Sequence, residues 1–170
     1  MAATALSSSS ARSATLPDAW RVEVFRREGI DDPEGNHLLA AVRELGAAKL
    51  DTARAGRGFL FPASLSRATV EAIVRELLAD PVLDAPRIVA PRTPPERRDA
   101  RVQRVLVARK PGVMDPIALT VQRALHRTGL APEAKRDDFL VTTFRAWELV
   151  GVERIAREAL QELGRRVLAN

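Results

Sequence analysis

The chain has 170 residues, enough for one large domain or two small ones with real cores. It has no cysteine, which excludes disulfides, thiolate metal sites and a cysteine nucleophile and fits a cytoplasmic protein. It also lacks an apolar run of the ~18 residues a membrane span needs. The net charge of +5 is uneven: residues 20–89 carry 10 basic and 11 acidic side chains, net −1, whereas residues 101–170 carry 13 and 8, net +5. A basic patch can bind nucleic acid or phosphate metabolites. Here the bases mostly interleave with acids along helical segments, the pattern of a solvated surface.

Residues 1–19 open with "MAATALSSSSARSATL", which lacks the amphipathic arginine spacing of a transit peptide and is expected to be a disordered tail. A first unit is expected over residues 20–89. Val22 and Val24 alternate with polar residues, which is strand periodicity. In "EGIDDP", Gly29 can take the positive φ that leaves a strand sharply. Asp32 suits a helix N-cap and Pro33 the first helical position. The helix that follows presents Leu38, Leu39, Val42 and Leu45 on one face, and Gly46 stands where a C-terminal glycine ends it. Residues 49–61 read as extended chain. Val70, Ile73, Val74, Leu77 and Leu78 form a helical stripe, and "PVLDAPRIVA" closes the unit as a strand. Residues 90–100, "APRTPPERRDA", hold three prolines and five charges and read as a semi-stiff linker.

Residues 101–170 repeat this plan. At an offset of 83, Val105 and Val107 fall on Val22 and Val24, and Gly112, Val113, Asp115 and Pro116 fall on Gly29, Ile30, Asp32 and Pro33. Val121, Ala124, Leu125 and Gly129 fall on Leu38, Ala41, Val42 and Gly46, and Ile117, Val121, Ala124 and Leu125 are expected to form one apolar face of the helix. The offset slips to 88, where Arg145, Trp147 and Leu149 fall on Arg57, Phe59 and Phe61. It slips again to 90, where "RVLAN" falls on "ELLAD". Residues 138–150 read as extended, and Val152, Ile155, Ala156, Ala159, Leu160 and Leu163 as a second helix. The last strand of this second unit is missing. Each unit therefore reads β-α-β(β)-α-β. The expected fold class is α+β, with tandem ferredoxin-like repeats, helices on one sheet face, and the two thin cores joined through their sheets.

The run "VLVARKPGVMDPIALTVQRALHRTGL", then "FRAWELV", then "RRVLAN" resembles the PurS family, the small subunit of phosphoribosylformylglycinamidine synthase. That family reads as a strand, a Pro-Gly-Val-x-Asp-Pro corner, a helix, an Arg/Lys-x-aromatic strand and a helix ending in Leu-Leu-Ala-Asn. The second unit matches nearly all of it and the first more loosely. The resemblance implies a pseudo-dimeric PurS-like domain, a covalent version of the family's sheet-joined dimer, either a subunit or a domain like the N-terminal one of the large single-chain synthases. It implies a non-catalytic part in purine biosynthesis, where glutamine-derived ammonia and ATP convert formylglycinamide ribonucleotide to its amidine. The implied partners are a synthetase (PurL-type) and a glutaminase (PurQ-type) component, which the small subunit bridges while helping ammonia to pass. Self-association through a sheet edge is a further expectation. No cofactor, metal, nucleic acid or membrane partner is expected.

No phosphate-binding glycine loop, dinucleotide fingerprint or nucleophile elbow appears, in keeping with a helper role. His37 and His126 are expected to be exposed or capping residues rather than metal ligands. Gly29, Asp32, Pro33, Gly112, Asp115 and Pro116 are expected to be structural corners. Arg57 and Arg145 recur before an aromatic residue and are either contacts to a phosphate or to the synthetase, or strand arginines paired with neighbouring acids. Phe59 and Trp147 are expected to pack in the core. The chain departs from the family pattern in three places: Glu28 replaces the corner proline, five residues are inserted before Arg145, and the absent strand leaves a sheet edge open. Two other classes share the topology, a nucleic-acid-binding module and a tandem small-molecule sensor. Five Phe, two Trp and no Tyr, without an RNA-binding aromatic run, speak against the first.

Overall fold

The computed structural model describes residues 18–46, 49–94, 101–110, 112–152 and 155–163. In chain order the elements are β1 (Ala19–Arg26), α1 (Pro33–Leu45), β2 (Leu50–Pro62), α2 (Arg67–Ile73) running into a π-helical turn (Val74–Leu78), and β3 (Asp84–Val89). The second half follows with β4 (Val102–Ala108), α3 (Pro116–Thr128), a short 3-10 turn (Pro132–Lys135), β5 (Thr142–Gly151) and α4 (Arg157–Leu163). The strands form one antiparallel five-stranded sheet in the order β3-β1-β2-β5-β4, so the fold is α+β.

The two halves meet along β2 and β5 at the centre of the sheet, where Arg57 stands directly opposite Arg145. On one side Val24 pairs with Arg57, and on the other Val107 pairs with Arg145. The sequence offsets of 83 and 88 map the first pair onto the second, so strand register is the same in both halves.

Each half holds one strand between its helices where the ferredoxin-like order has two. β2 is one strand of 13 residues, with a register shift near its start between Leu50 and Thr52. Gly56 and Gly58 lie within it without the positive φ that would turn the chain. The face read from Ile117 to Leu125 is covered only in part, because Ile117, in the first turn of α3, is exposed while Leu125 is buried. The stripe read from Val152 begins too early. β5 continues to Gly151, Val152 is exposed beyond it, and α4 is helical only from Arg157. The strand carries on because the N–H groups of Gly151 and Val152 are taken by the carbonyls of Arg101 and Lys49. The stripe from Val70 to Leu78 does not stay α-helical either. Its last turn widens, with the Ala79 N–H donating to the Val74 carbonyl at 3.0 Å, while Val74 and Leu78 remain buried. The closing "RVLAN" and the side chain of Leu45 lie outside the described residues, as do the tail over residues 1–17 and linker residues 95–100. Among the described residues nothing occupies the outer side of β4 as β3 does beside β1.

All helices cover one sheet face, but not each its own half. One core cluster joins Trp20, Val22 and Val24 of β1 and Val70, Ile73 and Val74 of the second helix to Ala118 and Leu125 of α3. The other joins Leu38 and Val42 of α1 to Trp147 and Leu149 of β5 and Leu163 of α4. Both clusters therefore draw side chains from both halves. Neither half of ~70 residues buries its helices alone, and the exchange gives each a larger apolar partner surface.

Candidate functional site

The two corners share a geometry. Gly29 and Gly112 have φ of +82° and +83°, conformations that side-chain-bearing residues rarely adopt. Asp32 and Asp115 cap the helices that follow: Oδ1 accepts from the Gly35 N–H at 2.9 Å in one and from the Ala118 N–H at 3.1 Å in the other. Pro33 and Pro116 occupy the first helical position, where no N–H partner is needed. The second carboxylate oxygen does a different job. Asp32 Oδ2 accepts from the Ala55 N–H of β2 at 2.7 Å, and Asp115 Oδ2 accepts from the Thr143 N–H of β5 at 2.9 Å and its hydroxyl at 2.8 Å. Each aspartate thus ties a helix start to a central strand. Burial pushes the Asp115 carboxyl up. The bonds from Ala118 and Thr143, with Arg109 Nε 3.6 Å away, outweigh it and hold the carboxyl below its ordinary value.

Arg57 and Arg145 face each other on the helix side of the sheet, and each is engaged by a carboxylate. Arg57 donates to Asp84 at 2.8 Å, and Arg26 donates to the other oxygen of the same buried carboxylate at 3.0 Å. Arg145 pairs with Glu34 of α1 and lies over the Trp147 ring at 5.4 Å. The partners differ because Asp84 belongs to β3, which has no described counterpart in the second half. Both guanidinium side chains stay more than half exposed, at 60% and 53%. Arg26, Arg57, Asp80 and Asp84 line an open recess of about 340 Å³ beside the π-helical turn. Phe59 and Trp147 are buried in the two core clusters, and His37 and His126 are exposed on α1 and α3. Among the described residues no group of three His, Cys, Asp or Glu side chains is placed to share a metal ion.

The opposite sheet face holds a cluster that strand alternation alone did not single out. Glu23 on β1 is 1% exposed and pairs with Arg104 on β4. Two strands lie between them, about 14 Å across a flat sheet, and the strand register sets Arg104 level with Arg27, about 13 Å beyond Glu23 along the line of β1. The two side chains cannot bridge that distance, so the sheet curls and this face is concave. Arg21 Nε lies 3.1 Å from Glu23, Arg87 lies 3.8 Å from it, and Arg104 also donates to Glu148 at 2.7 Å. Phe25 sits between the guanidinium groups of Arg54 and Arg104, 5.4 and 5.5 Å from its ring centre. Gly56 and Gly58 make this possible. A Cβ on Gly56 would come within 2.8 Å of the Phe25 ring, and one on Gly58 within 2.1 Å of the Phe144 ring. The available signal was Arg104 falling on Arg21 at the offset of 83, a repeated arginine on the face assigned to solvent.

Among the described residues no helix is long and apolar enough to cross a membrane. No curated protein matches the chain. Residues 19–90 match the family described as PurS: Phosphoribosylformylglycinamidine (FGAM) synthase. The match runs from the start of β1 to just past β3, the half whose motifs fit the family pattern more loosely. Over these residues, less than half of the chain, it is similar to the PurS family, a non-catalytic component of FGAM synthase, a ligase complex of purine biosynthesis.

Proposed function

We propose that the whole chain is a tandem PurS-like component that bridges the synthetase and glutaminase of FGAM synthase and assists the passage of ammonia between them. The observation that carries the tandem reading is strand register: Val24 opposite Arg57 and Val107 opposite Arg145 are the same pairing at the two sequence offsets. A central β2–β5 seam with like residues opposite each other is what a covalently joined pair of equivalent subunits produces. In this reading residues 20–89 and 101–170 are the two units and residues 90–100 join them. Arg57 and Arg145 are contacts for a partner or a phosphate group. Each would exchange a half-exposed ion pair, worth little in water, for a desolvated one. The outer edge of β4 offers unpaired backbone groups to a partner strand. The chain then acts in the cytoplasm without a cofactor of its own.

The test is reconstitution. The purified chain is mixed with the synthetase and glutaminase of its organism, with glutamine as nitrogen donor. Amidine formation should be faster with the chain than without it, and sedimentation should show a complex. Equal rates together with no complex overturn the proposal. ATP turnover by the chain alone overturns its non-catalytic part.

A further inference from the structure

We propose that the outer edge of β4 takes an added antiparallel strand from a partner protein, and that this strand brings a carboxylate to Arg109 and Arg145. The inference deepens the tandem reading above and rests on the equivalence of the two halves, not on the identity of the complex. In the first half β3 fills the corresponding edge. It pairs with β1 in a register that sets Arg26 opposite Asp84, Val24 opposite Pro86 and Val22 opposite Ile88. Asp84 is 3% exposed, and its two oxygens accept from Arg26 at 3.0 Å and from Arg57 at 2.8 Å. One carboxylate on the edge strand thus joins an arginine from each of the next two strands.

The second half keeps both arginines without that carboxylate. At the offset of 83 Arg109 falls on Arg26, and at 88 Arg145 falls on Arg57. Arg109 Nε lies 3.6 Å from Asp115, too far for a hydrogen bond, and Arg145 turns to Glu34 of the other half. Burial divides the halves in the same way. Val22 and Val24, beside β3, are 0% and 2% exposed, whereas Val105 and Val107, beside the open edge, are only partly buried. A strand laid on β4 in the register of β3 sets a carboxylate opposite Arg109 and an aliphatic side chain, four residues on, opposite Val105. Residues 101–110 hold Arg101, Arg104, Arg109 and Lys110 and no acid, so two copies of β4 laid together repel, and a strand that brings negative charge is the complement. The other edge strand, β3, carries Pro86, which has no N–H to pair, and its Asp84 is already bonded, so a second copy offers no strand of this kind. The chain's own remaining stretches do not supply one. Residues 1–17 and 164–170 contain no carboxylate, and residues 95–100 lead into the end of β4 far from Arg109.

The probe is the sequence of β3 itself. A peptide of residues 81–90, "PVLDAPRIVA", blocked at both ends so that Asp84 is its only carboxylate, is titrated into the purified full chain by calorimetry. It should bind one to one, and hydrogen exchange followed by mass spectrometry should slow across β4. An Asp84→Asn peptide, which leaves the chain itself unaltered, should bind more weakly by about tenfold or more. The chain variant Arg109→Glu should lose the aspartate peptide and take an Asp84→Lys peptide in its place. Arg109→Ala, with its fold checked by circular dichroism, covers the event that the reversal misfolds, and should also weaken binding of the aspartate peptide. No binding at millimolar peptide, equal affinity for the Asp and Asn peptides, or slowed exchange confined to strands other than β4 overturns the inference. So does a chain that sediments as a dimer and becomes a monomer in Arg109→Glu, because a second copy is then the occupant. The tandem reading survives each of these outcomes, since it stands on strand register and is decided by the reconstitution above.

Discussion

Replacing Asp115 by Ala removes one carboxylate and three hydrogen bonds at once. The lost N-cap costs about 1 kcal/mol. The Thr143 N–H belongs to a buried residue and loses its acceptor, at about 1–3 kcal/mol, whereas the hydroxyl can rotate toward another partner. The expected total is about 2–4 kcal/mol. With a urea m-value of about 2 kcal/mol per molar, the unfolding midpoint falls by roughly 1–2 M. Asp115→Ser separates the two roles: a serine caps the helix but is too short to reach β5, so it should recover only the ~1 kcal/mol of the cap. The pH profile adds a second check. The Asp115 carboxyl is held below its ordinary value. Its contribution is therefore present in full above the unfolded aspartate value of about 3.9 and is lost as pH falls through the folded value. Asp115→Ala should lack that part of the acid limb. The assay is urea unfolding followed by circular dichroism between pH 3 and pH 7. If Asp115→Ala unfolds within about 0.5 kcal/mol of the unaltered chain, or if Ser matches Asp, the carboxylate does not tie helix to strand.

Two further substitutions test the concave face. Gly58→Ala places a methyl group 2.1 Å from a Phe144 ring carbon and should cost about 1–3 kcal/mol in thermal unfolding, more than Gly56→Ala, whose nearest ring atom is at 2.8 Å. The reverse order would mean that the rings do not lie over the glycines. Glu23→Gln removes the charge that Arg21, Arg87 and Arg104 surround, and should lower stability by about 3–5 kcal/mol. An unchanged denaturation midpoint would show that β1 and β4 are not held together across this face.

Much of the local structure was legible because its causes are local. Gly-x-x-Asp-Pro writes a left-handed residue, a cap and a pre-set first helical turn in adjacent positions. Gly46 and Gly129 end their helices in the left-handed conformation, with φ of +60° and +73°. The seam was half legible: equal spacing implied equivalent halves, but only strand pairing puts Arg57 opposite Arg145. Three features needed the tertiary structure. The second bond of each corner aspartate reaches a strand 23 residues away in one half and 28 in the other. Glu23 sits at a position whose alternation assigns it to solvent, and it is buried because the sheet curls and brings Arg104 to it from 81 residues away. Gly56 and Gly58 fall in a segment the sequence marks only as extended, and they form the floor beneath two phenylalanine rings. Hydrophobic period and backbone preference report which face a residue takes and how a segment begins and ends. They carry nothing about which distant strand curls against that face or which helix crosses over to cover it, because those depend on the packing of the whole sheet.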